Sequence, residues 1–143
     1  MSGRDITAGR KFRTDKWRVE ETDIIEFAAK YDPQPIHMDA AFAAGNSLFG
    51  QIVASGFMTL SVAWGLWVKS GIPGTDQRAG ISMDKVRWLK PVLAGDELCA
   101  DVEVLSVRKS SKLDCNVTTL HFSLKNQREE PVLEFTSTGL TAV

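Results

Sequence analysis

The sequence predicts an α+β fold in which an antiparallel β-sheet wraps a central apolar helix, and three features carry that reading. The stretch from Ser55 to Lys69 is apolar on nearly every face, so a helix there has to be enclosed by something else. After Gly74 the chain changes into alternating, β-branched segments separated by turn residues. A length of 143 residues with 43% hydrophobic content suffices for one core, and so for a single domain over 1–143 without disulfide or metal staples. An apolar helix and a one-sided sheet bury each other as two layers.

Taken in order, the segment from Phe12 to Val19 is short and alternating and is expected to add an edge strand. Residues 22–30 carry Ile24, Ile25, Phe27 and Ala28, with Glu20, Glu21 and Asp23 where a helix N-terminus favours negative charge, so a short amphipathic helix is expected. It must stop near Tyr31, because Pro33 and Pro35 lack a donor and push their preceding residues out of helical conformation. A rigid, extended Asp-Pro-Gln-Pro segment is expected to follow. A second short helix runs from Asp39 to the Gly45-Asn46 pair, which suits a helix C-terminus. The apolar helix comes next, with Phe57, Leu60, Trp64 and Trp67 among its larger residues, and Gly71, Pro73 and Gly74 end it. Strands are expected over 79–92, 96–109, 113–126 and 131–142, joined by Ala-Gly-Asp, Lys-Ser-Ser-Lys and Gln-Arg-Glu-Glu turns. Leu98, Ala100, Val102 and Val104 share one face, and Leu120, Phe122 and Leu124 share another.

Composition removes several classes of function. Lys plus Arg number 17 against 18 Asp plus Glu, which leaves no basic stripe to neutralise a nucleic-acid backbone. The opening Met1-Ser2-Gly3-Arg4-Asp5 lacks the apolar run of a secretory signal, and Ile52 to Val68 falls short of the roughly 20 apolar residues that cross a bilayer. A cytoplasmic protein without a membrane partner is expected. Cys99 and Cys115 lie on segments that a hairpin near Ser110-Ser111 would pair, with Cys99 opposite the neighbourhood of Phe122, so reduced thiols rather than a disulfide are expected. Two histidines and two dispersed cysteines do not make a metal cluster, and no metal or redox cofactor is expected.

The candidate chemistry lies in the middle of the chain. His37 follows Asp32 by five residues across two prolines, a stiff backbone that can hold an acid and a base in fixed positions about one water. The same spacing is compatible with a structural role, since Asp before Pro is a common helix terminator and His37 stands just ahead of a helix. Ser55-Gly56 opens the apolar helix, whose first amides have no internal partner and would polarise a carbonyl placed there. An ordinary Ser cap followed by a Gly that permits close packing explains the same pair. His121 alternates with Leu120 and Phe122 and reads as a sheet-surface histidine.

These residues also carry a family resemblance. The run Phe27-Ala28-Ala29-Lys30-Tyr31-Asp32-Pro33-Gln34-Pro35-Ile36-His37-Met38-Asp39, with Gly50, Ala54-Ser55-Gly56 and Thr59 after it, resembles the hydratase-2 motif of MaoC-like domains, Gly-Asp-x-Asn-Pro-Ile/Leu/Val-His. Val86 to Leu98, with its Pro-Val-x-x-Gly-Asp turn, is similar to the same family, so the likeness covers most of the chain from about Val19. It implies a hot-dog fold and (R)-specific hydration of a 2-enoyl-CoA, or the reverse dehydration. Asp32 and His37 would act on water and substrate, the Gly56 amide would polarise the thioester carbonyl, and no cofactor would be needed beyond the coenzyme A carried by the substrate. Tyr31 stands where the motif has Gly and Gln34 where it has Asn, which makes Tyr31, Gln34 and Ser55 the candidate substrate-binding residues. The family also implies a homodimer, or an oligomer built from dimers, in which two sheets join edge to edge. Hot-dog domains host acyl-CoA thioesterases too, but the Gly-His-Val-Asn run typical of those is absent; a non-catalytic acyl-thioester-binding subunit is the third reading.

Overall fold

In the computed structural model, residues 5–143 are described, and the chain closes a 6-stranded antiparallel sheet around one long helix. Met1 to Arg4, which belong to the opening that lacks the apolar run of a secretory signal, lie outside the described residues. Strand β1 (Lys11–Arg13) and strand β2 (Trp17–Arg18) precede helix α1 (Glu21–Tyr31). A 3₁₀ turn (Pro35–His37), helix α2 (Ala40–Asn46) and helix α3 (Gly56–Lys69) follow. The long strands are β3 (Gln77–Trp88), β4 (Glu97–Lys109), β5 (Asn116–Lys125) and β6 (Pro131–Thr141), in the order β1-β4-β5-β6-β3, with β2 also on β4.

The alternation of the strands decides what they bury. Leu98, Ala100, Val102 and Val104 of β4 and Leu120, Phe122 and Leu124 of β5 all face the core, because directly paired residues such as Val102 and Phe122 share one face. Against them lies α3, with Met58, Thr59, Ala63 and Trp67 inward. Phe122 is the hub: it stacks on Phe135 at 4.6 Å and meets Trp67 edge-on at 6.2 Å and Trp64 at 5.8 Å. Trp67 is 1% exposed, as expected of a helix that packs under a sheet.

The sheet covers only one side of α3. Phe57, Ser61 and Val68 are exposed, Phe57 at 61%, so the expected enclosure on nearly all faces is incomplete within one chain. Strand β3 is likewise exposed on both faces along almost its whole length, Ile81 and Met83 included.

Four local expectations are corrected. The predicted single edge strand over 12–19 is two short ones, interrupted where Thr14 N–H donates to Ala100 O but the Ala100 amide donates to Thr14 Oγ1 in place of a backbone carbonyl. The Asp-Pro-Gln-Pro segment is extended only to Gln34; Pro35 then opens the 3₁₀ turn, because its fixed φ suits a first helical position. Strand β3 ends at Trp88 rather than 92, since Pro91 cannot donate to a ladder. The β4–β5 turn is wider than expected, closing from Ser110 to Cys115, so Cys99 pairs with Lys125 instead of the neighbourhood of Phe122. Both cysteines are free thiols, and burial pushes that of Cys99 up.

Candidate active site

Asp32 sits where α1 ends, its backbone amide donating to Ala28 O as the helix C-cap. The two prolines and the 3₁₀ turn then bring His37 back so that its Nε2 lies 3.3 Å from Asp32 Oδ2. The next loop locks this turn in place: Val53 N–H donates to Ile36 O, and Ala54 N–H donates to Val92 O beyond β3. Three separated parts of the chain therefore meet at one point.

The histidine is oriented from behind. His37 Nδ1 lies 2.6 Å from the Val53 carbonyl, which can only accept, so the Nδ1 atom carries a proton and Nε2 is turned toward Asp32. His37 is buried, with the Val53 carbonyl against its ring. Both atoms line the cleft, so one water can bond to Nε2 and Oδ2 together from the cleft side.

The carboxylate is held as firmly. Ser55 Oγ donates to Asp32 Oδ2 at 2.7 Å, and Gln34 Nε2 donates to Oδ1 at 2.7 Å, since only the nitrogen end of the amide can donate to a carboxylate. The Ser55 bond, then the Gln34 bond, hold the Asp32 carboxyl below the usual range; burial opposes them and His37 adds the smallest contribution. Asp32 thus stays ionised further into acid than an ordinary aspartate.

Ser55 also caps α3, its Oγ accepting from Phe57 N–H at 3.2 Å. Gly56 is the first residue of that helix, so its amide has no acceptor inside the helix. A cleft of about 540 Å³ opens over these groups, lined by Asp32, Gln34, His37 and Gly56 on its polar side and by Phe57, Trp88 and Val92 on its apolar side. It combines an acid/base pair, a helix N-terminal amide and an apolar wall, which is the equipment for proton transfer next to a polarised carbonyl.

The structure brings together Asp32, Gln34, His37, Ser55 and Gly56 and leaves Tyr31 out. Tyr31 is 70% exposed and packs on Phe27 at 5.1 Å, lining a separate cleft of about 590 Å³ between α1 and the outer side of α3. Ser55 is 0% exposed with its hydroxyl shared between Asp32 and Phe57, so it supports the carboxylate instead of touching a substrate. His121 lies on the outer face of the sheet beside Arg13 and Glu103, away from the cleft. Sequence reasoning did not single out the Val53 carbonyl or Trp88, whose Nε1 donates to Gly56 O at 3.0 Å. Among the described residues no group of three or more His, Cys, Asp or Glu is placed to hold a metal ion, and no helix is long and apolar enough to cross a membrane.

The chain is similar to known proteins along most of its length. The model of the MaoC like domain matches residues 5–125. The chain is 32% identical over 125 residues to the (R)-specific enoyl-CoA hydratase of Aeromonas caviae, covering 86% of this chain and 88% of that one. It is 36% identical over 130 residues to the uncharacterized protein YdeM of Bacillus subtilis, 91% of each chain. Among solved structures, the MaoC-like dehydratase from Rhodospirillum rubrum superposes with a TM-score of 0.86 at 34% identity, over 96% of this chain and 94% of that one.

Proposed function

Because the chain belongs to the MaoC-like domain family, we propose that it is a hydro-lyase that adds water reversibly to a 2-enoyl-CoA, or a related acyl thioester, to give the 3-hydroxyacyl thioester. The observation that carries this reading is the pair of His37 Nε2 and Asp32 Oδ2, 3.3 Å apart at the floor of a cleft that also holds the Gly56 amide. One water hydrogen-bonded to both Nε2 and Oδ2 gives up a proton to the dyad as its oxygen bonds to the β-carbon. The electron pair of the double bond moves onto the thioester oxygen, where the Gly56 N–H stabilises the negative charge. The α-carbon then takes a proton from the dyad, and the pair returns to its starting charge. The apolar wall of Phe57, Trp88 and Val92 suits an acyl chain.

The test is loss of the conjugated enoyl absorbance when the full chain is mixed with enoyl-CoA thioesters of graded length. Hydration of at least one length, with no free thiol released, supports the reading; release of thiol that depends on Asp32 would favour a thioesterase instead. An acid limb in the rate is expected to follow the Asp32 carboxyl, whose lowered value keeps the base form available below the usual carboxylate range. Removing the Ser55 hydroxyl takes away the largest cause of that lowering. In Ser55→Ala the acid limb of kcat/KM is therefore expected to move to higher pH, with a stability loss of about 1 kcal/mol from the missing cap. A limb that stays in place would remove Asp32 from the assignment.

The proposal includes a homodimer in the cytoplasm, for which two free thiols and the uncovered surfaces are the support. An edge strand exposed on both faces, together with the exposed Phe57 and Val68 of α3, is a surface that a second copy of the chain would cover through antiparallel β3–β3 pairing. Sedimentation at micromolar concentration is expected to give a dimer, and a stable monomer would remove this part of the proposal.

A further inference from the structure

Gly56 has no side chain to fix it, yet the hydratase reading asks its amide to point at one oxygen. Its backbone is held instead by neighbours. On the Ser55 side, the cap binds both Asp32 and Phe57 N–H. On the other side, Gly56 O accepts from Thr59 Oγ1 at 2.9 Å and from Trp88 Nε1 at 3.0 Å. The indole lies so close that a Cβ built on Gly56 would meet Trp88 Nε1 and Cε2 at 2.6 Å. Trp88 also meets Phe57, the next residue of the helix, edge-on at 6.3 Å.

The strand is shaped to deliver this side chain. Between Asp84, opposite Thr136, and Arg87, opposite Glu134, β3 holds one residue more than β6, and Lys85 in that bulge has φ 54. A positive φ at a residue with a side chain is uncommon, and a bulge re-aims the side chains beyond it. With the extra residue, Trp88 stands opposite the fully buried Leu133, on the core face; without it, Arg87 would stand there. The strained position thus puts a large aromatic donor, rather than a charge, over the start of α3.

We infer that Trp88 is a positioning residue, whose indole clamps the first turn of α3 and holds the Gly56 amide in the direction that a thioester oxygen requires. This rests on the hydratase reading. The clamp continues as one hydrogen-bonded chain: Trp88 Nε1–H to Gly56 O, across that peptide to Phe57 N–H, to Ser55 Oγ, to Asp32 Oδ2. Bonds in such a chain polarise one another and fix one another's geometry. The same residue therefore ties the Gly56–Phe57 peptide, which adjoins the carbonyl-polarising Gly56 N–H, to the acid/base pair.

The test compares wild type with Trp88→Phe, which keeps a ring and loses the N–H, and Trp88→Ala, which loses both. Gly56 O keeps Thr59 Oγ1 in each case, so Trp88→Phe leaves no orphaned acceptor and is expected to fold with nearly unchanged melting temperature. On an enoyl thioester that wild type hydrates, Trp88→Phe is expected to lower kcat about five- to tenfold, the worth of one hydrogen bond, with KM within about twofold. Trp88→Ala should lower kcat further. A Trp88→Phe enzyme with wild-type kcat, or one changed in KM alone, overturns the inference while leaving the hydratase reading standing. Wild type inactive on every enoyl thioester overturns both.

Discussion

Asp32→Asn and His37→Gln are each expected to lower kcat for hydration by at least about a thousandfold, with the double variant little worse than either single, because residues that act as a unit lose their effect together. Asp32→Asn keeps the shape of the side chain and an oxygen for Ser55, and its new NH2 is accommodated when the Gln34 amide turns to offer its own oxygen. His37 needs more care. Its Nδ1–H satisfies the buried Val53 carbonyl, so His37→Ala would orphan that acceptor at a cost of about 1–3 kcal/mol and mix a folding defect with a catalytic one. His37→Gln retains an N–H that can be offered to Val53 while removing the basic Nε2. Stopped assays with melting temperatures measured beside them separate the two effects. Additive losses in the double variant would mean that the residues act on different steps. Unchanged kcat in Asp32→Asn would remove the dyad altogether.

The proximity of Asp32 and His37 was legible because the two lie within six consecutive residues with two prolines between them, whereas the groups that hold them, Val53 O and Ser55 Oγ, come from further along the chain. The long strands were legible for a similar reason: period-2 alternation at Leu98, Ala100, Val102 and Val104 marks a buried face whatever the partner strand. Register was not, because it depends on the turn. Ser110 Oγ accepts from the amides of both Lys112 and Leu113, which holds a wider loop than two serines suggest and shifts the partner of Cys99 by three residues. That Tyr31 lines a different cleft from the dyad was not legible, because neighbours along the chain need not face the same way in space. Tyr31 lies four residues after Phe27 in α1, and helical phase turns it toward Phe27, although Asp32 is its neighbour. Gln34 shows the opposite outcome. Its extra methylene relative to Asn lets the amide fold back on Asp32, so the departure from the motif strengthens the carboxylate's hold. The part played by Trp88 was illegible, since it rests on a contact across 32 residues and on a bulge that changes which side chain faces the core.

Gly56→Ala is the second large expected effect, and a double variant gives it a sign that composition alone would not predict. A backbone donor cannot be deleted by substitution, but it can be displaced. Gly56 has no positive φ, and it begins a helix, so alanine fits the backbone and by itself would stabilise by about 0.4–1 kcal/mol through the unfolded chain. The obstacle is the indole at 2.6 Å. Either Trp88 swings out, losing its bond to Gly56 O and its contact with Phe57, or the helix start shifts; both move the amide away from the thioester oxygen. Overpacking of this kind costs about 1–3 kcal/mol. Loss of one oxyanion donor costs about 10²–10³-fold in kcat, and Gly56→Ala is expected to reach that range. In the Trp88→Ala background the methyl has room, so adding Gly56→Ala should raise the melting temperature, reversing its effect in wild type. The rate should stay low, because the clamp is gone in both. If Gly56→Ala lowers the melting temperature equally in the two backgrounds, the indole is not what demands glycine at this position. If it leaves kcat at the wild-type value, the Gly56 amide is not the group that stabilises the enolate oxygen.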